Sequence, residues 1–144
     1  MPRRLTQVAL RLLDSAARIA GRAPNLEARH ATGRSGEEQA YFYLRRLGYV
    51  MIARNWRSPH HKGELDLVGW DNDVLCFIEV KTRTTRDVKP AEAAVDLQKQ
   101  RALAAIARDY LRRLPEAPQF RFDVVSVYCE NDASDITLFK GAFS

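Results

Sequence analysis

The stretch GELDLVGWDNDVLCFIEVKTR, residues 63–83, decides how the chain is read. GELDLVGW and VLCFIEVKTR are rich in branched and aromatic residues, as strands are, and Asp71, Asn72 and Asp73 between them are turn formers. A hairpin is the simplest link. Residues two apart in a strand share a face, so Glu79 and Lys81 project together from an otherwise apolar segment. If the hairpin is symmetric about Asn72 and Asp73, Asp66 stands opposite Glu79 and Glu64 opposite Lys81. Four charged groups then share one patch. Carboxylates facing each other across two strands lie about 5 Å apart and repel unless a cation sits between them, which suggests a divalent metal ion. Oxygen ligands favour Mg²⁺ or Mn²⁺.

Working outward, Ser35 followed by Glu38 matches a capping box. Ala40, Leu44 and Leu47 then place an apolar stripe on a helix that Gly48 ends. Glu37 lies on that stripe and has two readings. A carboxylate in a first turn is favoured by the helix dipole alone, yet this one is also turned toward the sheet and within reach of the charged patch. YVMIARN reads as the first strand and SPHHKG as a loop. From Pro90 a long helix is expected to about Leu114, with Val95, Leu103, Ile106 and Tyr110 at helical spacing, and Pro115 and Pro118 beyond it. FRFDVVSVYC is a last strand, to which the tail from Glu130 adds an edge segment. The order helix, three strands, helix, strand predicts an α/β fold: a mixed sheet flanked by helices.

Residues 4–20 read as a further helix, with Leu5, Val8, Leu12, Ala16 and Ile19 on one side and arginines on the others. GRAPNLEARHATGRSG, rich in turn formers, reads as a linker. The expected organisation is a basic N-terminal helix and linker over 1–32 and a single domain over 33–144, a size that one hydrophobic core can support. The formal charge of +5 is lopsided: up to Arg34 there are seven arginines (3, 4, 11, 18, 22, 29 and 34) against Asp14 and Glu27, and from Ser35 onward the charges balance. An acidic partner such as nucleic acid fits this distribution. Cys76 and Cys129 fall in apolar runs, where a thiol acts as a small hydrophobe, so a reducing compartment and a cytoplasmic location are expected. No secretory or membrane-spanning stretch is found.

At GEEQAYFYLRRLGY, ARNWR, GELDLVGWDNDVLCFIEVKTR and RFDVVSV the chain resembles the YraN-like bacterial proteins, over about two-thirds of its length. That family is assigned to the PD-(D/E)xK superfamily of restriction-endonuclease-like folds, close to archaeal Holliday-junction resolvases. The resemblance implies an αβββαβ nuclease core in which Asp66 takes the motif's first acid position. Glu79 and Lys81 become its ExK half, and Glu37 the helix acid. Leu65 stands where the superfamily's name would put proline, a departure that leaves the carboxylate in place. The N-terminal arm and the chain after Tyr128 lie outside the resemblance.

The function expected is hydrolysis of phosphodiester bonds in DNA, branched DNA by resemblance to the resolvases. Asp66, Glu79 and the backbone carbonyl of Val80 would hold Mg²⁺ or Mn²⁺, which lowers the pKa of a bound water. Lys81 would orient that water and stabilise charge on the phosphate. Arg57 and Lys62 before the site and Arg83, Arg86 and Lys89 after it read as a track for phosphates or as ordinary soluble surface. Lys99, a basic position in the family, reads equally as a phosphate contact or a solvated helix face. His60 and His61 are expected on the surface, Trp56 and Trp70 in core or rim packing, and Asp123 as a cap or ion-pair partner. A homodimer is expected by analogy alone. Two other classes of function stay open: a DNA-binding module that keeps the nuclease fold without cutting, and a structural adaptor that docks its N-terminal helix on a partner or membrane surface.

Overall fold

In the computed structural model the hairpin closes where the turn formers place it. Asn72 takes a φ of 53°, a left-handed conformation that asparagine tolerates. Strand β2 (Glu64–Asp71) pairs antiparallel with β3 (Val74–Arg83), from Asp71↔Val74 to Leu67↔Ile78. That register is the symmetric one expected. The structure describes residues 28–84, 95–130 and 133–144. The predicted helix at 4–20, residues 21–27 of the linker, and Arg86 and Lys89 lie outside them.

On one side of the hairpin β1 (Val50–Arg57) pairs antiparallel with β2, and on the other β4 (Phe120–Glu130) runs parallel to β3. The tail forms β5 (Ala133–Phe143), an antiparallel edge strand on β4 that extends the expected αβββαβ order by one element. The five-stranded mixed sheet has the order β1-β2-β3-β4-β5. A parallel neighbour requires a crossover connection, and helix α2 (Leu97–Arg112) lies on the one between β3 and β4.

Two helix boundaries differ from expectation. Helix α1 spans Ala28–Arg46, so residues 28–34 are helical rather than linker, and Ser35 lies inside the helix. Ser35 therefore does not cap: its Oγ accepts a hydrogen bond from Gln39 Nε2 one turn on, at 3.2 Å. The turn-forming residues of this segment are only weak helix breakers, and the helix runs through them. Helix α2 starts at Leu97, not Pro90, because Asp96 is extended (φ −68°, ψ 169°) and its carboxylate accepts from Lys99 N at 2.8 Å, a helix N-cap. The C-terminus of α1 is as read. Gly48 sits at φ 96°, with Tyr49 N donating to Leu44 O, the bond of a glycine-terminated helix.

Each helix covers one face of the sheet. On the α1 side Ala40, Tyr41 and Leu44 bury Met51, Leu67, Cys76, Ile78, Val80, Val125 and Val127. On the α2 side Leu103, Ile106, Ala107 and Tyr110 bury Leu65, Val68, Leu75, Phe77, Phe122 and Val124. Gly36 sets the approach of α1. A Cβ there would fall 1.9 Å from Thr82 Oγ1, so only glycine lets the helix rest on the end of β3.

Candidate functional site

Alternation along β1 and β2 fails at one level of the sheet, and the acids gather there. Leu67 belongs to the α1-side core and Leu65 to the α2-side core, although residues two apart in an unbroken strand share a face. Their partners on β1 repeat the switch. Arg54, paired with Leu67, lies over the ring of Tyr41 at 4.6 Å, whereas Trp56, paired with Leu65, packs edge-on against Tyr110 at 5.1 Å. Between Arg54 and Trp56 stands Asn55, at a φ of 49°. Between Leu67 and Leu65 stands Asp66. The β2–β3 ladder ends at Leu67↔Ile78, one residue short of the expected Asp66–Glu79 pair. Asp66 Oδ2 instead accepts the Val80 N–H at 2.9 Å.

Around Asp66 the structure brings together three carboxylates. One oxygen each from Glu37, Glu64 and Asp66 lies within 4.8 Å of the other two. Glu37 arrives from α1, whose close contact at Gly36 holds this turn of the helix against β3. Glu79 adjoins the group from β3 and is 5% exposed. Its Oε1 faces Lys81 Nζ at 3.3 Å and Lys99 Nζ at 3.7 Å, while its Oε2 is buried with no hydrogen-bond partner. Burial above all, and then the charges of Glu79 and Glu37, push the Asp66 carboxyl up to about 8 against the opposing pull of the Val80 N–H. Crowded, buried carboxylates and an orphaned oxygen are what a cation would relieve, so the donor set fits a hard divalent ion.

Of the sequence-predicted residues, Asp66, Glu79, Lys81 and Glu37 meet at this one end of the sheet. Lys99 joins them, drawn to Glu79 from α2. Val80 contributes its N–H to Asp66. Glu64 was placed in the patch opposite Lys81, but it ion-pairs with Arg57 at 3.2 Å. The reason is geometric: the β2–β3 ladder has already ended, while the β1–β2 ladder continues to Arg57↔Glu64. Lys62 is exposed on the loop before β2, and Arg83 is half-buried at the end of β3.

Sequence reasoning missed Asn55, whose side-chain amide donates to Glu37 Oε2 at 2.9 Å and Glu64 Oε1 at 3.1 Å. An asparagine inside a strand, where the residue is depleted, was the available signal. It also missed Asp109. This buried acid on α2 holds the 58–61 loop through Ser58 Oγ and through His61 Nδ1 at 2.7 Å, with Arg112 at 3.0 Å on its other oxygen. His61 is thus on the surface, as expected, but anchored. Asp109 recurs three residues after Ile106, so its place on the buried stripe could have been read. Asp123 pairs, as one reading had it. It is fully buried on β4, where it pairs with Ile78 in the ladder, and is bonded to Arg121 at 2.8 Å, Tyr49 Oη at 3.3 Å and Gly141 N at 3.0 Å. Trp56 and Trp70 both pack against the α2-side core.

No helix among the described residues is long and apolar enough to cross a membrane. Residues 36–127, from the glycine of α1 that faces Thr82 to the last buried valine of β4, match the uncharacterised protein family UPF0102. The chain is 51% identical to a UPF0102 protein of Koribacter versatilis over 138 residues, covering 96% of this chain and 94% of that one. It is 46% identical to one from Solibacter usitatus, covering 77% of this chain and 84% of the relative. With one from Caldicellulosiruptor saccharolyticus the identity is 37%, over 77% and 95%. The chain belongs to the UPF0102 family.

Proposed function

We propose that the protein is a metal-dependent nuclease of the PD-(D/E)xK type that hydrolyses phosphodiester bonds in DNA, with branched DNA as the substrate class. One observation carries the reading: three carboxylates from two elements converge beside a buried Glu79 whose second oxygen has no partner, and two lysines flank it. Glu37, Glu64, Asp66 and Glu79, with the carbonyl of Val80, are the groups that would hold Mg²⁺ or Mn²⁺. A bound ion of this kind polarises a phosphate and lowers the pKa of water.

The rest of the chemistry belongs to the chain. Lys81 and Lys99 share one oxygen of Glu79, which keeps both ammonium heads at the site. There Lys81 can orient the attacking water and Lys99 can meet a non-bridging phosphate oxygen. The Val80 N–H fixes the Asp66 carboxylate. Arg57 and Lys62 before β2, and Arg83 after the site, supply phosphate contacts along the duplex.

The test is incubation of the purified full chain with linear, flapped and four-way DNA in Mg²⁺, Mn²⁺ or EDTA. Cleavage that needs the cation and is lost in Glu79→Ala is expected. Cation binding and DNA binding with no cleavage of any substrate would instead leave a non-cutting module on the same fold.

A further inference from the structure

Two neighbouring strands switch faces at the same level, and on β1 the residue at that level is Asn55. Its backbone lies in the left-handed region that side chains other than glycine, asparagine and aspartate avoid. Residues held there concentrate where function over-determines the geometry. We infer that Asn55 is a positioning residue for the acidic centre: its amide ties Glu37 of α1 to Glu64 of β2 and so sets the mouth that a divalent cation enters. The inference rests on the reading that these acids hold a cation, to which the buried, partnerless Glu79 Oε2 gives separate support.

The chemistry of the amide is specific. One nitrogen carries two N–H groups, and here it reaches both acids, Glu37 Oε2 at 2.9 Å and Glu64 Oε1 at 3.1 Å. Two half-buried carboxylates without such a bridge would swing apart. An ion would then have to restore the geometry itself, at the expense of its binding. Glu64 is held on its other side by Arg57, so the bridge fixes both of its oxygens. Aspartate has the same shape and the same tolerance of the backbone, but it would repel both partners. Glycine would satisfy the backbone alone.

That difference gives the experiment. Mn²⁺ is titrated calorimetrically into the full chain, wild type, Asn55→Gly and Asn55→Asp, with circular dichroism and the Tm recorded with and without the ion. Asn55→Gly keeps the conformation and loses only the bridge. It is expected to fold as wild type and to bind Mn²⁺ at least about tenfold more weakly, the scale on which outer-shell partners of ligating carboxylates act. Asn55→Asp adds a carboxylate to the crowd, so Mn²⁺ should raise its Tm by more than it raises that of wild type. Wild-type affinity in Asn55→Gly, or a wild-type Tm response in Asn55→Asp, would overturn the role of Asn55 and leave the cation reading intact. Failure of the wild type itself to bind Mn²⁺ would overturn both.

Discussion

Replacing Asp66 by asparagine should stabilise the metal-free protein, and by more as the pH rises. The folded Asp66 carboxyl is pushed up to about 8 from an ordinary 3.8. Its folded form therefore keeps a proton that the unfolded chain releases, and stability falls as pH rises from the lower value through the higher. At pH 7 the loss has accumulated over about three pH units, a ceiling of about 4 kcal/mol at roughly 1.4 kcal/mol per unit. Asparagine removes the charge and keeps an oxygen for the Val80 N–H, while its amide can donate to the acids around it. In EDTA, Asp66→Asn should melt about 3–10 °C above wild type at pH 8 and level with it near pH 4. Adding Mg²⁺ at pH 8 should raise the wild type and leave the variant unmoved. A variant that melts below wild type at pH 8 in EDTA, or a difference that does not change between pH 4 and 8, would refute the account of Asp66 as a charge strained by its neighbours.

Glu79→Ala should abolish cation-dependent cleavage while DNA binding, measured by gel shift, holds or strengthens, because a negative charge has left a phosphate-facing site. Gly36→Ala should destabilise the fold by about 1–3 kcal/mol in urea unfolding through its collision with Thr82 Oγ1, and Thr82→Ala should restore part of the loss. Asp109→Asn should lower the Tm at neutral pH. Ser58 and then His61 hold the Asp109 carboxyl below its usual range, so its contribution is present above about pH 4 and fades as pH falls through the folded value; the variant should lose less on acidification than wild type. Deleting residues 1–27 removes five arginines (3, 4, 11, 18 and 22) ahead of α1. If they touch DNA, the slope of log affinity against log salt should become shallower by about one unit per lost phosphate contact, and an unchanged slope would assign the arm to another partner.

The hairpin was legible because its determinant is local: turn chemistry at 71–73 between two apolar, strand-like runs centres the turn and so specifies the register. The level at which alternation stops was not. Nothing in GELDL says that Leu65 and Leu67 will enter different cores, since that switch is shared with β1 and depends on Asn55 turning left-handed inside that strand. Expecting unbroken pleating, the sequence reading set Glu64 against Lys81, whereas β3 has by then left the ladder. Helix ends were similarly obscured. Ser35 and Glu38 have the spacing of a cap, but capping needs a helix to begin there, and packing of Gly36 on Thr82 is satisfied by one that begins a turn or more earlier.

Charge accounting separates a functional centre from an ion-pair face, the bland explanation of GELD and EVK. A face built for pairing would give each acid its own cation. Among the described residues the ion pairs here are Arg57 with Glu64, and Lys81 and Lys99 both with Glu79. Two lysines crowd one oxygen, and the other oxygen of the same carboxylate is buried and orphaned. Meanwhile Asp66, the carboxyl most strained by burial and by its neighbours, is bonded to a neutral backbone N–H. Among the described residues, four carboxylates against the three side-chain cations paired with them leave the fully ionised centre with one excess negative charge. A divalent ion among the acids turns that into an excess positive charge, with the lysine heads beside it. The same residues that destabilise one another in isolation then form a receptor for a phosphate. Removing the charge of one acid, for instance by Glu37→Gln, would neutralise the excess without creating that receptor, and it keeps an oxygen for the Asn55 amide. Such a variant should be more stable than wild type in EDTA and less responsive to Mg²⁺.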